Sequence, residues 1–261
     1  MNAHTFPPAP RKRVLGAVVL AVLAAWYLGL DFTALADGWR NLGVLAGDAF
    51  PPQAGVLPTA IRGLVETLAI ALLATLIGFV LAIPLGVAAT RTLFPLWLVG
   101  PARLVAAAIR TMPSLLWAVL MVILVGFGPL AGVLAMGVYS TGHLAKLAYE
   151  ALEGLPAEPF EALSAAGATR LQLARLVAIP EASNQLLSHL LYMLEYNVRA
   201  SSIVGFVGAG GIGMYLGRYL QMMQYDGVVT LLAVVFVAIV AMDAGSLWLR
   251  RRYITRIPGP R

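Results

Sequence analysis

Long apolar runs separated by short polar segments dominate the chain. A run of about 18 or more apolar residues is long enough to cross the hydrocarbon core of a bilayer as a helix. The pattern predicts an all-α, polytopic membrane protein with about six transmembrane helices and a surface helix over 33–48. The predicted spans are residues 14–30, 61–89, 103–126, 130–149, 182–204 and 228–249.

The composition supports a membrane protein and excludes several kinds of site. Hydrophobic residues make up 60% of the 261 residues and charged residues only 11%, whereas a soluble domain carries about 25% charged residues. The chain has no cysteine, which excludes disulfides, thiolate metal sites and cysteine nucleophiles. Its three histidines share no metal-ligand spacing, and it has no Walker-type phosphate loop. We therefore predict no catalytic residue, metal or cofactor in this chain.

The net charge of +6 fits membrane orientation better than nucleic-acid binding. All but four of the 18 Lys and Arg residues fall on one side of the predicted spans, and positive residues favour the cytoplasmic side. Both termini are therefore expected in the cytoplasm, with a C-terminal basic cluster near anionic lipid. The chain divides into a cytoplasmic tail (1–13), a first span with an outer linker (14–60), a five-span core (61–250) and a basic cytoplasmic tail (251–261).

An amphipathic island interrupts the apolar pattern at residues 151–181. Pro156 and Pro159 end the preceding helix, and Gly167 allows a sharp turn between two short helices. Such a surface can sit in a groove of a cytoplasmic partner, or it can lie on the membrane as an ordinary amphipathic loop.

The spacing in this island resembles the coupling motif of ATP-binding cassette (ABC) importer permeases. That motif reads Glu-Ala-Ala, three residues, Gly, nine residues and then apolar-x-apolar-Pro. It is matched here, with Leu163 in place of the third motif residue, by Glu161, Ala162, Gly167, Val177, Ile179 and Pro180. The resemblance implies a type I ABC importer permease fold with a cytoplasmic coupling helix, located in the bacterial inner membrane.

The same resemblance implies partners. ABC ATPase subunits, which carry ATP and Mg, would dock near Glu161 and Gly167. A second copy of the chain or a homologous permease would complete the pathway. A periplasmic or surface-tethered substrate-binding protein would deliver the substrate.

A second polar segment lies at the end of the fifth span. Glu195 and Arg199 are spaced to pair along one helix face, which lowers the cost of charges in a membrane. The glycine run 205–213 disfavours a regular helix, and irregular backbone at membrane depth lines a cavity or is buried in protein. A helix break beside polar residues is what a gate requires, and its backbone N–H groups can contact an anion.

This segment is similar to the same region of phosphonate-type ABC permeases, which carry Asn-x-Arg-(Ser/Ala) before Val-Gly-Ala-Gly-Gly-Ile-Gly. Methionine-type and quaternary-amine permeases share a related glycine element but, as a rule, not the Asn-x-Arg lead-in. The resemblance implies pathway or gate roles for Asn197, Arg199, Ser201, Gly208, Gly210, Gly211 and Gly213.

Arg110 is a further candidate, because it lies about one turn into the third predicted span. It either faces the pathway as an anion contact or extends toward the inner headgroups. Pro113 frees a backbone carbonyl one turn earlier, and we expect Thr111 or Ser114 to satisfy it.

These features predict the transmembrane pathway subunit of an ATP-driven importer for a small phosphorus oxyanion: phosphonate, phosphite or hypophosphite. The chain is expected to be a transport subunit and not an enzyme. One alternative is a related permease for methionine or a quaternary amine, although a cationic substrate would favour aromatic and acidic pathway residues. The other is a membrane enzyme or channel without an ATPase partner, which would leave the coupling spacing unexplained.

Overall fold

Every regular element of the computed structural model, which describes residues 11–30 and 33–249, is a helix. The all-α prediction is therefore confirmed for these residues. Short 3₁₀ turns lie at Ala54–Val56 and Gly205–Val207, and a π-helical turn lies at Ala174–Ala178. The α-helices are α1 (Arg11–Tyr27), α2 (Thr33–Ala49), α3 (Leu57–Ala88), α4 (Leu96–Thr111), α5 (Ser114–Val125), α6 (Pro129–Glu153), α7 (Glu158–Ala165), α8 (Arg170–Leu173), α9 (Ile179–Val204), α10 (Ile212–Gln221) and α11 (Tyr225–Leu249).

The chain divides into two compact parts, Met1–Asp48 and Ala49–Arg261. In the first part, the apolar helix predicted over 14–30 ends at Tyr27. Gly29, two residues later, adopts a φ of +60°. The surface helix predicted over 33–48 is confirmed as α2. Residues 1–10 and 250–261, which contain most of the predicted tails, lie outside the described residues.

Small residues bring α3 and α6 together as the central pair of the second part. A Cβ atom added to Gly78 would lie 2.5 Å from the Cβ of Ser140, and one added to Gly86 would lie 2.8 Å from the Cβ of Ala148. Backbones at this separation leave no room for larger side chains. Helices α4, α5 and α9 pack around the pair.

Two helices of the described chain are long and apolar enough to be membrane spans by themselves, Ala54–Ala88 and Tyr225–Leu249. Up to four segments qualify if each of two bent helix pairs counts as one span. Helix α6, which covers the span predicted over 130–149, is 25 residues long but does not meet the same test. The count of six spans stays a prediction.

The third predicted span, over 103–126, is wrong as a single helix. Helices α4 and α5 meet at 88° around Pro113. The Ile109 carbonyl, which Pro113 leaves without its usual donor, accepts a hydrogen bond from Nε1 of Trp117 at 3.1 Å. The Thr111 hydroxyl donates to a different carbonyl, at 2.7 Å. A tryptophan from the next helix therefore satisfies the carbonyl at the break.

Helix α3 connects two regions that matter for function. Glu66 and Thr67, near its start, contact the glycine run. Leu93, just beyond its end, lies in a buried cluster with residues of α6, the π-helical turn and α9. A rise of 1.5 Å per residue puts about 33 Å between Glu66 and Ala88, close to the roughly 30 Å of a hydrocarbon core. The glycine run and the coupling island therefore lie at opposite ends of α3.

Candidate functional site

The glycine run breaks the helical chain, as predicted. The segment through α9 meets α10 at 43°. Gly208 and Gly211 adopt φ values of +88° and +74°, which glycine reaches without strain. The outer segment predicted over 205–227 also contains α10, a ten-residue helix that the glycine content did not indicate.

Two side chains of α3 hold the start of α10. The N–H of Gly211 donates to Oε1 of Glu66 at 2.9 Å, and the N–H of Ile212 donates to the Thr67 hydroxyl at 2.8 Å. The first N–H groups of a helix have no partner within it, and the helix dipole favours a carboxylate there. Sequence reasoning missed both residues, although an acidic residue inside an apolar run was an available signal.

The other glycines permit close approaches. A Cβ atom on Gly213 would lie 2.0 Å from the Ser202 carbonyl oxygen, and one on Gly210 would lie 2.8 Å from Oε1 of Glu66. The Gly208 carbonyl accepts a hydrogen bond at 2.8 Å from the backbone N–H of Gly128, which lies in the α5–α6 turn. The glycine run is thus held by α3, α9 and the α5–α6 turn.

Asn197 joins three helices at the centre of the second part. It is fully buried, and its side-chain nitrogen donates to the hydroxyls of Thr75 on α3 and Ser140 on α6, both at 2.8 Å. Ser201, one turn later, is also buried and donates to the Val198 carbonyl at 2.9 Å. Both candidate residues therefore lie in the packed crossing of α3, α6 and α9.

Arg199 connects α9 to the last helix. We expected it to pair with Glu195 along α9, but its ion pair is with Asp243 on α11. Ser246, also on α11, donates a hydrogen bond to the Glu195 carboxylate. The packing of α9 on α11 brings these polar groups together, and each charge then has a partner on the neighbouring helix.

A cavity of about 350 Å³ opens beside the glycine run. Its lining includes Phe127, Arg218, Gln221 and Gly208. The ring of Phe127 lies so close to Gly208 that a Cβ atom there would be 2.1 Å from its Cδ1 atom. The cavity therefore has a basic side chain in its wall and an aromatic ring against the glycine run.

Arg110 lies in the last turn of α4. Its Nε atom is buried without a hydrogen-bond partner, and the preceding residue, Ile109, packs on α6, where a Cβ atom added to Gly142 would lie 2.7 Å from its Cγ2 atom. The structure thus places Arg110 beside α6 and Arg199 beside α11, and the two candidate arginines do not share a partner among the described contacts.

The pair of short helices predicted in the coupling island is confirmed. Helices α7 and α8 are joined by a turn in which Gly167 has a φ of +83°. Thr169 and Gln172 form a capping box at the start of α8. The π-helical turn at Ala174–Ala178 widens the helix ahead of Pro180, whose ring collides with a carbonyl one turn earlier in a regular helix.

One face of the coupling island is buried and the other is open. The buried face packs on the core through Phe160 and Leu173. On the open side Leu171 is 71% exposed. Four of the six motif residues are exposed, namely Glu161, Ala162, Gly167 and Pro180, whereas Val177 is buried and Ile179 half-buried.

Two arginines connect this end of the molecule to the α3–α4 turn. Arg170, at the start of α8, donates to the Leu93 carbonyl at 2.8 Å. Arg103 on α4 forms an ion pair with Glu153 at the end of α6, at 2.5 Å, and lies over the ring of Tyr149. Nε of Arg103 also donates to the Ala89 carbonyl, just beyond the end of α3, at 2.9 Å, so both arginines contact the α3–α4 turn.

The coupling island and the glycine run both fall within a match to a known family. The family model for the inner membrane component of binding-protein-dependent transport systems matches residues 82–255. The chain belongs to this family. The permease is accordingly a multi-pass inner-membrane transport component that works with ATPase and substrate-binding partners, and the prediction of a transport subunit instead of an enzyme is confirmed.

Individual relatives agree with this assignment. The phosphite transport system permease protein PtxC of Stutzerimonas stutzeri is 39% identical, over 92% of this permease and 90% of the relative. The phosphate-import permease protein PhnE of Mycolicibacterium smegmatis is 36% identical, over 72% of this permease and 36% of the relative. The inward-facing MetNI methionine ABC transporter matches with a TM-score of 0.68 at 26% identity, over 78% of this permease and 100% of that chain. The predicted type I ABC importer permease fold is thereby confirmed.

Replacing Glu66 by alanine removes the acceptor for the Gly211 N–H. We expect Glu66→Ala to lower the free energy of unfolding by about 1.5–3 kcal/mol, because a hydrogen bond to a charged group contributes that much, and to lower uptake with it. Glu66→Gln keeps an acceptor oxygen and should retain most of the stability and most of the uptake. Thermal unfolding and substrate uptake measure the effects, and an alanine variant equal to the native protein would contradict the capping role.

Proposed function

We propose that the permease forms the transmembrane pathway of an ATP-driven importer for a small phosphorus oxyanion: phosphonate, phosphite or hypophosphite. The observation that carries this proposal is the 39% identity to a phosphite permease over 92% of the chain. Arg218 in the cavity wall and Arg110 beside α6 are in keeping with an anionic substrate.

In this proposal the glycine run is the outer gate. The 43° bend between α9 and α10 supplies a hinge, and the Glu66 and Thr67 hydrogen bonds define one closed geometry for it. Opening breaks these two bonds and moves α10 relative to α3. The gate comprises Asn197, Arg199, Ser201, Gly208, Gly210, Gly211 and Gly213.

The coupling island is the docking surface for the ATPase subunits, which bind ATP and Mg. The exposure of Glu161, Ala162, Gly167 and Pro180 supports this assignment. ATP binding closes the ATPase pair and tilts α7 and α8, which turns the pathway outward, and hydrolysis resets it. Both termini lie in the cytoplasm. A second copy of the permease or a homologous one completes the pathway, and a periplasmic or surface-tethered binding protein delivers the substrate.

A methionine or quaternary-amine importer is the second candidate, because the methionine transporter shares the fold at 26% identity. The higher identity to the phosphite permease and the two arginines favour the oxyanion. A membrane enzyme or channel without an ATPase partner is disfavoured by the family.

The test is ATP hydrolysis by the complex that copurifies with the permease, in lipid nanodiscs with its binding protein. Phosphite, methylphosphonate, hypophosphite, phosphate, methionine and betaine are added in turn, and ligand-free binding protein is the control. Stimulation by a phosphorus oxyanion supports the proposal. Stimulation by methionine or betaine alone contradicts the proposed substrate class. The absence of a copurifying ATPase contradicts the assignment of the coupling island as a docking surface.

A further inference from the structure

A polar aromatic cluster lies where the end of α4 meets α6 and α9. The ring centroids of Tyr139 and His143 are 4.2 Å apart, and the rings of Tyr139 and Tyr196 stack at 5.3 Å. Both tyrosines pack on the same buried cluster, which includes Ala106 of α4 and Met193 of α9. All three residues are half-buried, so the cluster is open on one side.

Arg110 brings an uncompensated positive charge to this cluster. Its Nε atom is buried without a hydrogen-bond partner. The end of α4 packs on α6 next to His143, where a Cβ atom added to Gly142 would lie 2.7 Å from Cγ2 of Ile109. Among the described residues no carboxylate forms an ion pair with it. Burying part of a charged group without a partner is costly. An anion from outside the chain would both neutralise Arg110 and accept its Nε–H.

The open side of the cluster cannot face lipid. Polar groups within a bilayer face protein or a water-filled path. The cluster is also held in place, because Tyr196 precedes Asn197 and Tyr139 precedes Ser140 in the chain. The 2.8 Å hydrogen bond between Asn197 and Ser140 therefore fixes the two tyrosines relative to each other. A rigid arrangement of this kind binds a ligand without first having to be ordered.

The donor set fits a small protonated oxyanion. Each tyrosine hydroxyl has one proton that it can donate to a ligand. Nδ1 of His143 lies 3.3 Å from the Tyr139 carbonyl, which can only accept, so Nδ1 donates and Nε2 of the neutral ring is an acceptor. The cluster thus offers a guanidinium and a hydroxyl to the oxygens of an anion, and an acceptor to an acidic P–O–H group.

We propose that Arg110, Tyr139, His143 and Tyr196 form a binding site for one small tetrahedral oxyanion of phosphorus within the permease. This inference rests on the proposed function and adds to it a selectivity that the permease itself exerts. Hydrogen phosphite and hydrogen phosphate carry an acidic O–H group and bind, whereas sulfate and hypophosphite, which have none at neutral pH, bind more weakly.

The test is equilibrium binding of phosphite, phosphate and sulfate to the permease–ATPase complex in nanodiscs, without binding protein or ATP. We expect saturable phosphite binding, and we expect Arg110→Gln to weaken it about tenfold or more, since hydrogen bonds to a charged group are lost. Arg110→Lys should restore part of the affinity, and Tyr196→Phe should weaken binding a few fold. The matched control is Arg62→Gln, which makes the same substitution at an exposed residue of α3 whose side chain takes part in none of the described hydrogen bonds or ion pairs.

Thermal unfolding without ligand identifies variants that fail to fold, and if Arg110→Gln is one of them, Arg110→Lys and Tyr196→Phe carry the test. The site is overturned by an absence of saturable phosphite binding at millimolar concentration, by variants that bind as the native complex does, or by sulfate binding as tightly as phosphite.

ATP hydrolysis with the loaded binding protein separates the two proposals. If phosphite stimulates hydrolysis but the site variants bind normally, the site fails and the importer stands. If only methionine or betaine stimulates it, the proposed function fails as well.

Discussion

Alanine at Gly213 will prevent the permease from assembling normally. The added Cβ atom would lie 2.0 Å from the Ser202 carbonyl oxygen, and 2.9 Å from the Cα of Gly205. These neighbours are backbone atoms, so no side-chain rotation relieves the overlap and α9 and α10 must separate. Overpacking of this kind costs about 1–3 kcal/mol of stability. We expect Gly213→Ala to lower the thermal unfolding midpoint and to reduce uptake to background.

Gly217→Ala is the matched control, one turn further along α10. Its Cβ atom would lie 3.3 Å from the edge of the Phe206 ring, a side chain that can shift. Helix propensity alone favours alanine over glycine by about 0.5–1 kcal/mol, so Gly217→Ala should be neutral or stabilising. The two variants are therefore expected to change the free energy of unfolding in opposite directions. A Gly213→Ala protein as stable and active as Gly217→Ala would contradict the close packing of α9 on α10.

Local signals predicted the elements that local chemistry determines. Pro156, Pro159 and Gly167 predicted the short helix pair α7 and α8, because each acts within a few residues of its position. The Thr169–Gln172 capping box, which also acts locally, was not predicted. The long helices α3, α9 and α11 follow from apolar run length. They begin a few residues before the predicted starts, because residues such as Glu181 in α9 and Asp226 in α11 extend a helix ahead of its apolar part.

Contacts between distant residues account for what the sequence did not predict. The i, i+4 spacing pointed Arg199 toward Glu195, but its ion-pair partner is Asp243, 44 positions away, because α11 packs on α9. Helix α10 went unpredicted because glycine disfavours helices, while the residue that caps it, Glu66, is 145 positions away. Pro113 is equally compatible with a kinked helix and with two separate helices. The hydrogen bond from the Trp117 side chain to the Ile109 carbonyl stabilises the break. Pairings of this kind depend on the tertiary structure and have no local signature.

Reversing the charge of Glu161 will uncouple the permease from its ATPase. Glu161 is exposed in the first turn of α7, and none of the described hydrogen bonds or ion pairs uses its side chain. Glu161→Arg therefore disturbs the fold only through the helix dipole, by about 0.3–1 kcal/mol. At a docking surface, loss of a central contact reduces binding by about 2 kcal/mol or more. We expect the folded permease to copurify with far less ATPase, and ligand-stimulated hydrolysis to fall by about tenfold or more.

Asp37→Arg is the control, because it makes the same change of charge at an exposed residue of α2, outside the coupling island. It should leave copurification and hydrolysis unchanged. An equal loss in both variants would assign the effect to net charge and not to the island. Full coupling in Glu161→Arg would mean that the exposed face of α7 is not where the ATPase binds. Loss in Glu161→Arg alone, with an unchanged unfolding midpoint, would separate docking from folding, since the residue has no described partner within the permease.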